Sequence, residues 1–350
     1  MKIGIIGYGR VGRIIGHYLS FHHEIIPLDN NPHINIKGVT TSYDDLKDVE
    51  IAFIAVPTPY DENKHTLDIS VVKEVISFLL SVNNHALIYI KSTMPIGGTR
   101  EIINSLNYHN IFYTPEFFKE NSNIDTFLDD ASRLIFSSIN DNKEAGEIYF
   151  SLFDKQKNRF TLKLEEAEMA KLFSNAYLAY RINFFNEVSE IAKENDLDDS
   201  NVIKAISSDP RIGDYYNRPS LGYAGKCLPK DVKALRGYTK GRTSDIVSRI
   251  DEANEERLDS LYESLLSILK KSDKPVVGII GEECDYLLSP FYKVLRRLKE
   301  EHDIKMIVYN YYRSNFISLG TAICSSLEEL KERSTIIIDI NKETYIVNKK

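Results

Sequence analysis

Residues 2–12, KIGIIGYGRVG, contain the pattern that identifies the type of fold in this chain. Residues 2–6 form a short apolar run of the kind found in buried strands, and a glycine-rich turn follows at once. Residues 11–20 (VGRIIGHYLS) continue with the periodicity of a helix. A strand, a G-x-G-x-x-G turn and a helix in this order predict a dinucleotide-binding unit.

The three glycines of this turn have different physical tasks. Gly7 permits the tight turn, Gly9 lets the backbone approach a pyrophosphate, and Gly12 lets the helix pack on the strand. The pyrophosphate would lie at the helix N-terminus, where Arg10 and Val11 complete the predicted cofactor site.

The second predicted strand, EIIPLD, ends in Asp29, 17 residues after Gly12. A carboxylate about 20 residues beyond the turn typically binds the ribose 2′-OH. Residues 30–32 contain no arginine that would pair with a 2′-phosphate. We therefore predict NAD, rather than NADP, as the cofactor.

Strands and helices continue to alternate beyond the glycine turn. Further apolar segments occur at 49–58, 69–80, 85–93 and 110–117. This alternation predicts a parallel, doubly wound sheet, in which ligands bind beyond the C-terminal strand ends. Thr58, Thr93 and Glu116 lie at such ends, and we assign Thr58 and Thr93 to the cofactor site. A turn or cap role is the simpler alternative for each threonine.

Residues 165–196 contain neither glycine nor proline and predict one long helix. Its middle is apolar nearly all round, so we expect it to be buried, between domains or between subunits. Lys171 and Asn175 interrupt the apolar run at i and i+4, on one face. The lysine either extends to solvent or forms a catalytic pair with Asn175.

The segment GYAGKCLPKD, residues 222–231, places Cys227 on a turn just before a helix. Pro229 suits the first helical position, where its missing N–H is not needed. The helix dipole, Lys226 and Lys230 would favour a thiolate at Cys227. A buried structural cysteine is the alternative. The loop before this turn mixes hydroxyl groups and arginines, which suits a phosphorylated or sugar-bearing ligand.

The predicted fold is α/β, with an N-terminal Rossmann-like doubly wound sheet, a long connecting helix with a helical central region, and a smaller C-terminal α/β domain. A second long helix is expected at 245–271, followed by a linker and a third α/β unit. We therefore predict an NAD-binding domain at 1–163, a central dimerisation and catalytic region at 164–270, and a C-terminal domain at 271–350.

Composition excludes several classes of function. A net charge of −7 over 350 residues gives no basic footprint for nucleic acid. No stretch approaches the ~20 apolar residues of a membrane span. The three cysteines and eight histidines show neither a disulfide nor a metal-site spacing, so we predict no metal. A cytoplasmic, reducing location is expected.

Seven ordered motifs carry a resemblance to a known family. They are GYGRVG at 7–12, VPTP at 56–59, KSTMPIGGT at 91–99, TPEFFKEN at 114–121, EAEMAKLFSNAYLAYR at 166–181, DPRIG at 209–213 and GYAGKCLPKD at 222–231. The chain resembles the UDP-glucose/GDP-mannose dehydrogenase family over essentially its whole length, most strongly from 165 to 236.

The resemblance implies an NAD-dependent four-electron oxidation of UDP-glucose to UDP-glucuronate. Cys227 would form a thiohemiacetal and then a thioester with the sugar carbon. Lys171 and Asn175 would stabilise the oxyanion. Asp231 and Thr93 would hold water, and Glu120 would assist thioester hydrolysis.

The resemblance also implies a substrate site and a homodimer. The matching substrate-binding positions are Glu116, Lys171, Arg211, Tyr216, Ser220 and Gly222. Arg211 matches an arginine that members of the family supply across the dimer interface.

The third domain departs from the pattern of the family. The family's lysine and arginine are absent from its first loop, which is acidic here (278–291), and we expect the domain to be shortened. Two alternatives remain open: the same chemistry on another sugar nucleotide such as a UDP-N-acetylhexosamine, or a non-catalytic relative that binds NAD.

Overall fold

The computed structural model describes most of the chain. The described residues are 1–31, 36–118, 133–153, 158–225, 227–281, 289–302, 304–309, 322–340 and 344–348. The chain divides into two compact units, Met1–Ser174 and Asn175–Lys350. The three-domain division with boundaries after 163 and 270 stays a prediction.

The first unit contains a strand in each of the five predicted strand segments and four further strands. Its strands are β1 (Lys2–Ile6), β2 (Glu24–Leu28), β3 (Ile51–Ile54), β4 (Tyr60–Asp61), β5 (Thr66–Leu67), β6 (Leu87–Ile90), β7 (Ile111–Tyr113), β8 (Leu134–Ser138) and β9 (Arg159–Lys163). Its helices are α1 (Arg10–Leu19), α2 (Ser70–Val82), α3 (Gly98–Leu106) and α4 (Lys143–Leu152), with a 3₁₀ turn at Tyr43–Leu46.

Seven of these strands form one sheet in the order β2-β1-β3-β6-β7-β8-β9. All neighbours are parallel except β7 and β8, which run antiparallel. β1, β3 and β6 lie inside the sheet with both faces covered, which explains why they read as continuous apolar runs. The small β4–β5 hairpin stands apart from this sheet.

The predicted long helix is α5, Leu164–Glu194, which begins directly after β9. One side of it is buried through small and aromatic residues such as Ala176, Ala179 and Phe185. In the single chain the burial is confined to this side of the helix, and its burial between domains or between subunits stays a prediction. Exposed apolar side chains form a stripe along it, consisting of Met169, Phe173, Tyr177, Tyr180, Phe184 and Ile191.

The second unit contains a smaller sheet. Its elements are α6 (Asp199–Ser207), α7 (Leu228–Thr239), α8 (Ile246–Leu269), β10 (Val276–Ile280), α9 (Phe291–His302), β11 (Lys305–Tyr309), β12 (Ala322–Ile323), α10 (Leu327–Arg333), β13 (Ile336–Asp339) and β14 (Thr344–Val347). The sheet order is β12-β11-β10-β13-β14, and only β14 is antiparallel to its neighbour.

The core of the second unit joins this sheet to two helices. Leu265 and Leu269 of α8 and Leu295 of α9 are fully buried in the same cluster as Ile279 and Ile338. The predicted α/β fold class is confirmed. Within the described residues, every helix is too short or too polar to cross a membrane.

Candidate active site

The glycine turn after β1 leaves open space at only one of its three glycines. Gly7 has φ +92°, and a Cβ there would lie 2.6 Å from the carbonyl oxygen of Ala55. A Cβ on Gly12 would lie 2.1 Å from the carbonyl oxygen of Gly7. A Cβ on Gly9 would meet nothing within 4 Å. Packing therefore requires Gly7 and Gly12, and Gly9 borders space that a ligand would fill.

The helix that follows this turn suits an anion. α1 begins at Arg10, its first turn contains no acidic residue, and no side chain caps it at Gly9. N–H groups at a helix start attract negative charge. The exposed Arg10 and the half-buried Val11 occupy this first turn. The residues present therefore fit a dinucleotide pyrophosphate.

Asp29 is fixed immediately after β2. Its Oδ2 accepts the Tyr8 N–H at 2.7 Å, and its Oδ1 accepts the Asn31 N–H at 2.8 Å. An ionised carboxylate has roughly four acceptor sites, so each oxygen can accept a further hydrogen bond. The contact with Tyr8 ties the carboxylate to the glycine turn, as a ribose-binding group requires.

Thr58 and Thr93 lie on loops that follow the neighbouring parallel strands β3 and β6. Thr58 is buried, and Thr93 is half-buried. The Ser92 hydroxyl joins the two loops, because it donates to the carbonyl oxygen of Val56 at 2.7 Å. The structure therefore brings both predicted threonine loops to the same edge of the first sheet.

Lys171 is 4% exposed and is held by Glu116. Its ammonium donates to the Glu116 carbonyl oxygen at 2.7 Å and to Oε1 at 3.1 Å. It also lies 5.3 Å from the centre of the Phe117 ring. Glu116 Oε2 accepts the Phe118 N–H at 2.7 Å, which fixes the carboxylate. Lys171 is predicted either to extend to solvent or to form a catalytic pair with Asn175, and its burial rules out the first alternative.

In the second unit, a polar cluster surrounds the start of α7. The fully buried Asp231 accepts a hydrogen bond from Asn175 Nδ2 at 2.6 Å and another from Lys230 Nζ at 2.6 Å. The Asp231 N–H donates to the Cys227 carbonyl oxygen at 3.1 Å, which closes the first helical turn. Cys227 is an exposed thiol at the N-cap position. The helix begins at Leu228, so Pro229 is its second residue rather than its first.

The loop that precedes Cys227 is held by a residue that the sequence analysis missed. The buried Arg181 donates to three carbonyl oxygens, those of Tyr215 at 2.8 Å, Ile212 at 3.1 Å and Gly213 at 3.2 Å. An arginine in an apolar helix was the available signal, because burial requires it to find acceptors.

Four of the predicted substrate residues lie in this loop, namely Arg211, Tyr216, Ser220 and Gly222. Arg211 is exposed and pairs with Asp209, with its Nη2 2.6 Å from Oδ2. Tyr216 is exposed and has φ +52°. The Ser220 hydroxyl donates to the Gly222 carbonyl oxygen at 3.1 Å, and Gly222 has φ +139°.

Glu168 is a second residue that the sequence analysis missed. It is fully buried, and its carboxylate accepts the N–H groups of Gly97 at 2.6 Å and Thr99 at 2.9 Å. Burial raises its pKa above the usual range, and these N–H groups oppose the rise. Glu168 thus joins α5 to the start of α3, in the segment that contains Thr93.

Some predicted residues lie outside the described part of the chain. They are Glu120, Lys226 and the central part of the acidic loop, residues 282–288. Among the residues that the structure does describe, no three His, Cys, Asp or Glu side chains form a group able to hold a metal ion.

Known proteins match both parts of the chain. The NAD binding domain of the UDP-glucose/GDP-mannose dehydrogenase family matches residues 33–154, and the central domain of that family matches residues 165–256. UDP-glucose 6-dehydrogenase of Streptococcus pneumoniae is 30% identical, with 97% of this chain and 94% of the relative covered. The Campylobacter jejuni enzyme of that name is 33% identical over 88% of this chain and 86% of its own length.

Solved structures share the fold. A UDP-glucose dehydrogenase from Pyrobaculum islandicum superposes with a TM-score of 0.81 at 21% identity, covering 97% of this chain and 89% of its own. A UDP-D-ManNAc dehydrogenase from Pyrococcus horikoshii gives a TM-score of 0.76 at 19% identity, covering 97% and 95%. NAD is the cofactor that the matched domain binds, in agreement with the glycine turn and Asp29. By these matches, the chain belongs to the UDP-glucose/GDP-mannose dehydrogenase family.

Proposed function

We propose that this chain is an NAD-dependent UDP-glucose 6-dehydrogenase that converts the C6 alcohol of UDP-glucose to a carboxylate. The observation that carries the proposal is the cluster of Cys227, Asp231 and Asn175 at the start of α7, in a chain of this family. The names of the relatives from Streptococcus pneumoniae and Campylobacter jejuni support UDP-glucose as the substrate.

The proposed reaction proceeds through a covalent adduct on Cys227. The C6 alcohol loses a hydride and a proton to give an aldehyde. The thiolate adds to its carbon, and the aldehyde oxygen takes up a proton to give a thiohemiacetal. Loss of a second hydride and a proton gives a thioester, and water hydrolyses it to the carboxylate and the thiol. When bound, NAD⁺ accepts the hydride of each oxidation. Each sugar nucleotide thus consumes one water and yields two NADH.

The proposed role of Cys227 follows from its place in the fold. It is exposed, so a sugar aldehyde has access to the sulfur. It directly precedes α7, and the N–H groups at a helix start favour the thiolate form. Asp231 and Lys230 lie in the first turn of the same helix, and the hydrogen bond between them fixes both side chains.

The proposed oxyanion group is the pair Lys171 and Asn175. A buried ammonium stabilises developing negative charge more strongly than an exposed one, because water screens it less. Glu116 holds that ammonium, and Asp231 orients the Asn175 amide. We further propose that Asp231 and Thr93 hold the hydrolytic water and that Glu120 assists its attack.

The proposed nucleotide-sugar site uses the loop before Cys227. The loop contributes Arg211, Tyr216, Ser220 and Gly222 to this site. Glu116 and Lys171, from other parts of the chain, are its remaining residues. The support is chemical: the loop presents an exposed guanidinium, a phenol and a hydroxyl, which are groups that bind phosphate and sugar oxygens.

The test is a substrate panel with a stoichiometry measurement. The purified chain is incubated with NAD⁺ and UDP-glucose, a UDP-N-acetylhexosamine or GDP-mannose, and NADH absorbance is compared with the acid product by mass spectrometry. We expect two NADH per molecule of UDP-glucuronate. Oxidation of the UDP-N-acetylhexosamine in preference to UDP-glucose would contradict the substrate, and one NADH per sugar would contradict the thioester.

A matched pair of cysteine variants tests the nucleophile. Cys227→Ala should abolish formation of the acid. Cys324→Ala is the control, because Cys324 is buried in a separate cluster of the same unit. Acid formation by Cys227→Ala at the rate of the control would rule out Cys227 as the nucleophile.

We also propose that a second copy of the chain covers the exposed stripe on α5 and forms a homodimer. The six stripe residues recur at spacings of three, four and seven, so they lie on one side of the helix. Exposed apolar surface of this extent on one helix is typical of interaction sites. The molar mass in solution should be that of a dimer. Tyr177→Asp should lower it to that of a monomer, whereas Phe21→Asp, outside the stripe, should not.

A further inference from the structure

The segment between Ser220 and Cys227 is held by a side chain on α8. Asn254 is 2% exposed, and its Oδ1 accepts the Tyr223 N–H at 2.8 Å. Its Nδ2 donates to the Tyr223 carbonyl oxygen at 3.2 Å. One amide side chain thus pairs with both polar groups of a single backbone residue, as a neighbouring strand would.

The neighbours of Asn254 fit this arrangement closely. Gly222 has φ +139°, and a Cβ on it would lie 2.6 Å from Asn254 Oδ1. Tyr223 is 2% exposed, and its hydroxyl approaches the Ile250 carbonyl oxygen at 3.4 Å and Asp251 Oδ1 at 3.5 Å, both on α8. Tyr223 is therefore docked on α8 through its backbone and through its side chain.

The chain that runs from Tyr223 to the nucleophile is short. Cys227 lies four residues beyond Tyr223, and its carbonyl oxygen accepts the Asp231 N–H of the first turn of α7. The thiol thus lies between two fixed points, one at Asn254 and one at the start of a helix. Loss of the first point would let the intervening backbone change conformation.

We propose that Asn254 is a positioning residue for Cys227, holding the nucleophile loop in the conformation that reacts. The glycine turn and Asp29, which are predicted to bind NAD, belong to the other unit, and we expect substitution of Asn254 to leave NAD⁺ binding unchanged. The inference rests on the proposed function, since it assigns Asn254 a role in the chemistry of that same cysteine.

The first test compares two buried asparagines. Asn254→Leu removes both hydrogen bonds and keeps a similar volume. Asn83→Leu is the matched control: Asn83 is 6% exposed and donates to the carbonyl oxygens of Leu46 and Val49, in the first unit. We expect Asn254→Leu to lower kcat at least tenfold with the Kd for NAD⁺ within twofold. Asn83→Leu should lower the melting temperature but leave kcat within twofold.

Hydrogen exchange provides a measurement that does not depend on activity. The Tyr223 amide is buried and bonded, so its peptide should exchange slowly in the wild type, at least tenfold faster in Asn254→Leu, and unchanged in Asn83→Leu. If the wild type fails to oxidise UDP-glucose, the proposed function fails, and the exchange rates still decide whether Asn254 holds the loop. A wild-type kcat in Asn254→Leu, or an unchanged exchange rate, would overturn the inference.

Asn254→Asp gives a second test, which serves if the leucine variant does not fold. A neutral carboxyl group can accept from the Tyr223 N–H and donate to its carbonyl oxygen, whereas a carboxylate can only accept. The ratio of its kcat to that of the wild type should therefore rise as the pH is lowered. A ratio that falls as the pH is lowered would contradict the role of the Asn254 donor.

Discussion

Two regions of the first unit each bury a lysine, and they surround it with different partners. At the start of α5, Lys171 is 4% exposed and donates to the carboxylate and the carbonyl oxygen of Glu116. At the end of β6, Lys91 is also 4% exposed, but it donates to the Tyr149 hydroxyl at 2.7 Å. Three aromatic rings surround Lys91, the nearest with its centre 4.7 Å away.

These different partners determine how strongly each region favours a charged lysine. A carboxylate partner favours the charged form of a buried lysine, whereas a phenol is neutral. Burial lowers the pKa of Lys91 to about 7, and the charge of Glu116 opposes this only in part. The surrounding rings also favour the ammonium. The α5 region is thus built to hold a cation, and the β6 region holds an amine that is readily neutral.

The largest effect expected from this comparison is on catalysis. Lys171→Met should lower kcat by about 10²- to 10³-fold, the range for loss of one group that stabilises an oxyanion. Lys193→Met is the control, because Lys193 is on the same helix with its side chain 70% exposed. The measurement is kcat for NADH formation with UDP-glucose. Equal kcat values in the two variants would leave Lys171 with a structural role only.

The second effect is on stability, and it depends on pH. At pH above the ordinary lysine pKa of 10.5, Lys91 is neutral in the folded and the unfolded chain. As the pH falls from 10.5 to about 7, the unfolded chain binds the proton and the folded protein does not, so the native state loses stability. Below pH 7 the penalty is constant. Lys91→Met removes it, so the variant should gain stability over the wild type as the pH falls through this window.

The difference between two pH values isolates this contribution. Between pH 9 and pH 7, the free energy of unfolding of Lys91→Met relative to the wild type should rise by on the order of 2 kcal/mol, at ~1.4 kcal/mol per pKa unit. Urea unfolding at the two pH values measures it. The Tyr149 hydroxyl, which loses its hydrogen bond in the variant, does not titrate in this window, because burial raises the pKa of that phenol. The same stability difference at both pH values would mean that Lys91 titrates as an exposed lysine does.

The comparison also shows how far the sequence predicts this protein. Spacings of a few residues, which a sequence displays directly, predict the glycine turn and the buried strands. They also place Lys171 and Asn175 on one face of a helix. Lys91 belongs to the quoted motif KSTMPIGGT, yet its partner Tyr149 lies 58 residues further along the chain. No local period connects two such residues, so its burial could not be predicted.

The same reasoning applies to the edges of the sheets and to the loop contacts. The antiparallel pairing of β7 with β8 joins strands on either side of residues 119–132, a stretch with no periodic pattern that predicts how the next strand pairs. Glu168 and Asn254 read as ordinary polar residues of helices, and only their backbone partners at separations of 69 and 31 residues reveal their roles. Helix periodicity identifies which face a residue occupies, but not which loop that face contacts.

A third buried basic residue is held by yet another kind of partner, and its replacement should have a smaller effect. Arg181, in the second unit, is 7% exposed and is held by three backbone carbonyl oxygens rather than by a carboxylate or a phenol. Arg181→Lys keeps the charge, but one ammonium cannot reach acceptors that a planar guanidinium spans. The loss of hydrogen bonds should lower the free energy of unfolding by ~1 kcal/mol.

The control for this last change is Arg249→Lys, whose side chain is 79% exposed. Urea unfolding at one pH is sufficient, because neither substitution alters the charge. Equal stability of Arg181→Lys and the wild type would mean that charge alone satisfies this site. A loss confined to Arg181→Lys would instead show that the geometry of the donors, and not only the presence of a cation, stabilises the 212–215 segment that precedes Cys227.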